Sequence, residues 1–318
     1  SSDGDAMGLL GTIFAAVLVT AAVVVAVLSL GSGVLGSGVN AALGRSRWRS
    51  IGLVVGVCGL VIAPQYLFHH WPRGDKNTVI QRLGLARRVQ HASSGLLITT
   101  LYAVILPLPA AIVCLATSTA AFSIIQAARR RSPALNRQFV SQFGALLRDH
   151  ERAGSPPAAL FFLAGALVAA IALPYRLCTY ALLSVSLGDP AAAITGQLCG
   201  GPRLVGKKTL SGFLGCAVVC GSLAVLVAAN SQQGSMQIGH IALLAPLAGL
   251  AGALAEVLGG LLPGMDDNLV MPIGAGSLLL AIKAVAAMLI PLWLPGLGCL
   301  SYIIFMRPLQ CWRRSFRN

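Results

Sequence analysis

Four short polar islands interrupt a chain that is otherwise mostly apolar. They are Arg148-Asp149-His150-Glu151, Gly188-Asp189-Pro190, Gly206-Lys207-Lys208-Thr209, and Glu256 followed by Asp266-Asp267-Asn268. Carboxylates inside apolar sequence are expensive to keep and mark functional sites by default. Paired lysines beside carboxylates suit a metal-bound polyphosphate better than an apolar substrate. Three carboxylates with Asn268 have the hard oxygen donors that hold Mg²⁺ with its retained waters. Asp266 to Asn268 also have the residue types of a loop and helix cap, whereas Glu256, deep in an apolar run, needs a partner.

The segment from Asp189 to Gly212 is the richest. Asp189, Ala192, Gly196 and Gly200 recur at three-to-four-residue spacing, which puts small residues on one helix face. A ligand or a second helix can approach such a face closely. The next helix is expected to begin near Lys208-Thr209, where free N–H groups and the helix dipole favour phosphate. Lys207 and Lys208 add formal charge there. Thr209 has the hydroxyl either to cap the helix or to bond a phosphate oxygen. The run Gly201 to Lys208 nearly matches a P-loop. It places Lys208 where the metal-binding Ser or Thr should stand and has no strand–helix unit around it, which excludes a Walker-type ATPase.

Two further segments hold polar groups. Arg87-Arg88-Val89-Gln90-His91 opens an apolar run, and His91 has the chemistry of a base, a phosphate donor or a packed interfacial residue. Taken alone, Arg148, His150 and Glu151 read as a solvated loop before Pro157.

The elements that position these residues are membrane helices. The chain is 56% hydrophobic and 10% charged, with mean hydropathy +0.81, against about 25% charged residues in soluble domains. Runs near the ~18–20 residues that span a bilayer recur at 9–30, 51–68, 92–109, 110–127, 157–174, 177–198, 210–229, 241–262, 269–290 and 291–306. The expectation is an all-α polytopic integral membrane helical bundle of about nine to ten spans. The first run resembles a signal peptide in position, but its length and its lack of a basic leader favour a span.

The net charge of +14 sits in clusters beside spans: Arg45 to Arg49, Arg87-Arg88, Arg129 to Arg131, Lys207-Lys208 and Arg313-Arg314. This is the pattern of the positive-inside rule and of anionic headgroup contact, not of nucleic-acid binding. Counting spans puts all four islands on one face, expected to be cytosolic; only the Arg45 to Arg49 cluster falls on the other. The eight cysteines form no Cys-x-x-Cys pair and read as small core residues.

In this order the islands resemble the polyprenol kinase family, which contains dolichol kinase, phytol kinase and the CTP-dependent diacylglycerol kinase of fungal type. The resemblance rests on Arg87 to His91 with Ser94-Gly95, on Leu147 to Glu151, on Asp189-x-x-Ala192-x-x-x-Gly196-x-x-x-Gly200, on Lys207-Lys208-Thr209-x-x-Gly212, and on Glu256 ahead of Asp266-Asp267-Asn268-x-x-x-Pro272. It covers roughly Arg87 to Pro272 and divides the chain into an N-terminal membrane region, 1–86, and a lipid kinase domain, 87–318. It implies transfer of the γ-phosphate of a nucleoside triphosphate, CTP, to the hydroxyl of a membrane lipid alcohol: diacylglycerol, a polyprenol or phytol, with diacylglycerol slightly favoured.

On that reading Asp189, Glu256, Asp266 and Asp267 bind Mg²⁺. Lys207, Lys208 and Thr209 bind the triphosphate, with Gly196, Gly200 and Arg88 beside the nucleotide. Arg148, Glu151 and Asn268 support the set. The general base is His91 or one of Asp266 and Asp267, alongside Asp189 in the catalytic group. The membrane is expected to be the endoplasmic reticulum, with a plastid or bacterial inner membrane as alternatives. Two other functions use similar residues: a phosphatidate cytidylyltransferase, which attacks the α-phosphorus of CTP, and a transporter, which needs its charges along a path through the bilayer rather than at one face.

Overall fold

A computed structural model of the chain describes residues 84–144, 146–229, 238–262 and 265–293. The expected spans at 9–30 and 51–68, nearly all of the region 1–86, the arginine clusters at 45–49 and 313–314, and the last expected span beyond Trp293 lie outside the described residues. Within them the protein is an all-α polytopic membrane bundle with almost no strand. Five of its helices are long and apolar enough to cross a membrane, and a sixth, shorter one is also apolar. The chain divides into two compact units at Leu167/Val168.

The first unit contains α1 (Leu85–Thr100), a π-turn at Leu101–Ile105, α2 (Leu108–Arg131), α3 (Pro133–Phe143), the single turn α4 (Asp149–Arg152) and the start of α5 (Ala158–Ala172). The run at 92–109 is therefore not one straight helix. Leu106 and Pro107 are extended and Pro109 opens α2, because proline cannot continue a helix but suits its first turn. Val113 and Ile124 of α2 are more than half exposed, which suits contact with lipid. Ser132 caps α3 by accepting from Leu135 N.

The second unit begins within α5 and continues with α6 (Tyr175–Leu183), a π-segment at Ser184–Gly188 and α7 (Asp189–Cys199), which together form one 25-residue span. Pro190 accounts for the π-segment. It offers no N–H, and its ring would collide with the carbonyl one turn earlier, so the helix widens by a residue. Ser184 and Ser186 donate back to the Tyr180 and Leu182 carbonyls at 2.8 and 2.5 Å. Gly188 lets the widened turn touch its neighbours: a Cβ there would stand 2.7 Å from Cys220 Sγ and 3.1 Å from Met271 Cε.

A hairpin of β1 (Arg203–Val205) and β2 (Lys208–Thr209) follows, antiparallel, with Val205 opposite Lys208. Gly206 turns it at φ 53°, a conformation glycine adopts without strain. The chain then runs through α8 (Leu210–Ala229), α9 (Ile238–Leu261) and α10 (Asp267–Trp293). Small residues bring these helices together, as is common in membranes. Gly221 packs on the Ala245 carbonyl and Gly249 on that of Ala217. Tyr180 Oη donates to the Ala248 carbonyl at 2.5 Å. Cys216 and Cys220 are fully buried free thiols at this interface, with their sulfurs 3.7 Å apart.

Candidate active site

Lys208 is where two of the islands meet. Its Nζ donates to Glu256 Oε1 at 2.6 Å and to Asp267 Oδ2 at 2.8 Å. The three residues come from separate elements: β2 just before α8, the last turns of α9, and the first residue of α10. They meet because α8 starts, α9 ends and α10 starts at the same end of the helix group. Glu256, deep in an apolar run, thus has its partner from a residue 48 positions away.

Two glycines make this meeting possible. The Lys208 stem lies across Gly260, where a Cβ would be 3.4 Å from Cγ and 3.5 Å from Cε. Gly259 faces the start of α10. A Cβ there would be 3.2 Å from Asp267 Cα and closer still to its Oδ1. Neither glycine stands out in the sequence. Their signal is their place, three and four residues after Glu256 on a helix that must admit another backbone.

The Lys208 side chain is 19% exposed and Glu256 only 5%, while Asp267 is 26% exposed. Burial alone would push the Lys208 ammonium below its ordinary pKa. The charges of Glu256 and Asp267, and the hydrogen bonds to them, outweigh that and hold it above the usual lysine value. Asp189, half-buried at the end of the π-segment, is near enough for its charge to act on Glu256. Two carboxylates thus pair with one ammonium, and a third acts on Glu256 from further off.

The remaining sequence candidates divide by location. Asp266 is the cap of α10. Its carbonyl accepts from Leu269 and Val270 N, and its Oδ1 accepts from Asn268 N at 3.0 Å and Asn268 Nδ2 at 2.6 Å. Asn268 is 3% exposed, and its Oδ1 is buried with no hydrogen-bond partner among the described residues. Thr209 Oγ1 accepts from Gly212 N at 3.2 Å, so it caps α8, which starts at Leu210. Gly196 faces that hydroxyl; a Cβ there would be 2.8 Å from it. The small-residue face of α7 is accordingly filled by α8. Gly200 closes α7 with φ 64°, and its carbonyl accepts from Ser211 Oγ. Lys207 is exposed at the hairpin turn.

Arg88, His91, Arg148 and Glu151 belong to the first unit. His91 meets Phe162 edge-on, with ring centroids 5.4 Å apart. Arg88 lies on α1, one turn before His91. The segment around Glu151 is not a solvated loop throughout. Glu151 is 1% exposed, because its carboxylate caps two helix starts: Oε2 accepts from Arg148 N at 2.7 Å and Oε1 from Ala158 N at 2.9 Å.

Among the described residues, no three Asp, Glu, His or Cys side chains are arranged to enclose a metal ion. A pair of carboxylates is nevertheless the share a protein gives Mg²⁺ when phosphates and waters complete the shell. With Asp189 in electrostatic range, the donor set has the chemistry for that role.

Over 162 residues, 47% of this chain and 71% of the relative, the sequence is 28% identical to CTP-dependent diacylglycerol kinase 1 of Schizosaccharomyces pombe. This likeness supports a relationship to the lipid kinases at family level. No family model and no solved structure matches the chain.

Proposed function

We propose that the protein is a CTP-dependent lipid kinase that phosphorylates the hydroxyl of a membrane lipid alcohol, with diacylglycerol as the favoured acceptor. The observation behind this reading is the Lys208–Glu256–Asp267 cluster at the start of two helices, with Asp189 in electrostatic range of Glu256, in a chain related to a kinase of that description. Phosphoryl transfer needs positioning and charge neutralisation more than covalent chemistry, and this cluster offers both.

Asp189 and Glu256 would hold Mg²⁺, which would neutralise phosphate oxygens during transfer. Lys208 is the counter-ion of the acids until the triphosphate enters, and then donates to a phosphate oxygen. Lys207, exposed on the hairpin turn, draws the nucleotide in by its charge. The N-termini of α8 and α10 add their dipoles. The lipid hydroxyl oxygen attacks the γ-phosphorus in line, the bond from that phosphorus to the β–γ bridging oxygen breaks, and CDP leaves. The hydroxyl proton passes to Asp267 Oδ1, which accepts no hydrogen bond among the described residues. Asp266 is held by Asn268 and sets the start of α10.

The test is an assay of purified protein with CTP labelled at the γ or the α position, Mg²⁺, and a panel of diacylglycerol, dolichol, a shorter polyprenol and phytol. Label passing from the γ position to diacylglycerol is the expected result, and passage to another alcohol corrects the substrate alone. Label from the α position identifies a cytidylyltransferase, and an unlabelled panel overturns enzyme action on these lipids.

A further inference from the structure

Glu256 and Asp267 already share a cation. Lys208 Nζ stands 2.6 Å from Glu256 Oε1 and 2.8 Å from Asp267 Oδ2, so one ammonium serves acids on two helices. Glu256 is buried, and water does little to screen charge there. A divalent ion on the other oxygens of these carboxylates would stand beside the ammonium. Positive charges that close repel strongly where water is scarce. The acids can therefore serve the ammonium or a bare divalent ion, not both.

The surrounding backbone limits how Lys208 can yield. The base of its hairpin is pinned: Leu210 N donates to the Pro202 carbonyl at 2.9 Å, and Ser211 Oγ donates to the Gly200 carbonyl. The freedom that remains lies in the four-carbon side chain, whose stem crosses Gly260. An ammonium has three donors. Two go to the acids, and the third has no partner among the described residues.

For a bare ion to take the acids, the ammonium must give up two charge-assisted hydrogen bonds with no acceptor in exchange. A triphosphate supplies that acceptor. Its oxygens meet the third donor first and then take the ammonium, while the metal it carries goes to the acids.

We propose that Lys208 holds bare divalent cations off the acids of this cluster, so that the metal enters only together with a nucleoside triphosphate. The inference rests on the kinase reading for the nucleotide and adds an order to it: metal and triphosphate arrive as one unit, never the metal first.

The probe is Mn²⁺, whose EPR signal drops when it binds, added to the full chain in neutral detergent with neither nucleotide nor lipid. Wild-type protein is expected to bind it weakly. Lys208→Met keeps the stem and removes the charge, and should bind one Mn²⁺ at least about tenfold more tightly. Glu256→Gln added to Lys208→Met should abolish that gain, and Lys208→Arg should behave as the wild type. Lys207→Met removes the same charge from the exposed turn and should change the affinity by less than about twofold. Melting temperatures give a second reading: Mn²⁺ should raise that of Lys208→Met and leave that of the wild type unmoved. Equal Mn²⁺ affinity in the wild type and a folded Lys208→Met, or equal gains from the two lysines, overturns the proposal. A wild-type melting temperature raised by Mn²⁺ alone overturns it whether or not the variant folds. A lipid kinase that admits bare Mn²⁺ fails this inference alone. A chain that labels no lipid yet excludes Mn²⁺ fails the kinase reading alone.

Discussion

Among the described residues, charge is buried around Arg129 and around Lys208, and the two groups are treated differently. Around Arg129 almost every valence is used. The guanidinium donates to Gln126 Oε1 at 3.0 Å, to Asn136 Oδ1 at 3.2 and 2.9 Å and to the Glu151 carbonyl at 2.9 Å. It also stacks on Phe139 at 3.8 Å. Glu151 is similarly full, with both oxygens taken by backbone N–H groups. Around Lys208, by contrast, Glu256 and Asp267 each use one oxygen, and Asn268 Oδ1 is buried without a donor among the described residues. A saturated charge network holds helices in place, because any change leaves a buried group unpaired. An unsaturated one has capacity left for a ligand.

The contrast is sharpest if activity and stability separate. Asp189→Asn is nearly isosteric and removes the negative charge that acts on Glu256. Its expected effect is a loss of turnover of at least ~10³-fold, ~4 kcal/mol of barrier, with an unchanged melting temperature. Retention of more than about a tenth of wild-type activity would exclude Asp189 from the reaction. Arg129→Leu should do the opposite. Removing one partner of a buried polar network costs about 3 kcal/mol or more, so the melting temperature should fall while activity per folded molecule stays near wild type. An Arg129→Leu variant that melts normally but turns over slowly would break the comparison.

Gly259→Ala tests the space between the two acids' helices. The added methyl meets Asp267 at its Cα and carboxylate, and overpacking of this kind costs about 1–3 kcal/mol. The expected readout is a turnover loss of about tenfold, with the Michaelis constant for diacylglycerol unmoved. Wild-type turnover would show that α10 has room to shift. The smallest effect is expected at Lys207→Ala. An exposed charge acts mainly on encounter and is screened by salt, so the Michaelis constant for CTP should rise a few-fold, and less at high ionic strength. Lys208→Ala measured beside it should lower turnover itself. Equal effects from the two lysines would mean that the pairing of Lys208 with Glu256 and Asp267 has no role in transfer.

Much of this architecture is legible in the sequence where hydrophobic length decides it. The run at 210–229 coincides with α8, and the long runs on either side of Lys208 become α6–α7, α9 and α10 to within a few residues. The same sequence shows that Glu256 needs a partner and does not say which. Lys208 reads equally well as a phosphate ligand until folding sets it over Gly260. The hairpin is hidden because its strands have three and two residues, too few to show an alternating pattern. Glu151 is hidden for another reason: its partners are backbone N–H groups, which every sequence has and none advertises. Asp266 and Asp267 are adjacent and identical in type, yet one caps a helix and the other joins the cluster. Only the direction in which α10 leaves the loop separates them.

The π-segment ahead of Asp189 has a further consequence. One extra residue in a helix advances everything beyond it by about 100°. The helix therefore has two phases. Tyr175 to Leu183 is timed to Ala248 and the thiols of α8, while Asp189 to Cys199 is timed to the charges beyond. Deleting a single residue between Ser184 and Gly188 would remove the residue that makes room for the Pro190 ring while leaving the apolar length of the span nearly unchanged. It would also swing Asp189 to a different bearing, so this helix is a fixed offset between two clocks rather than a plain rod.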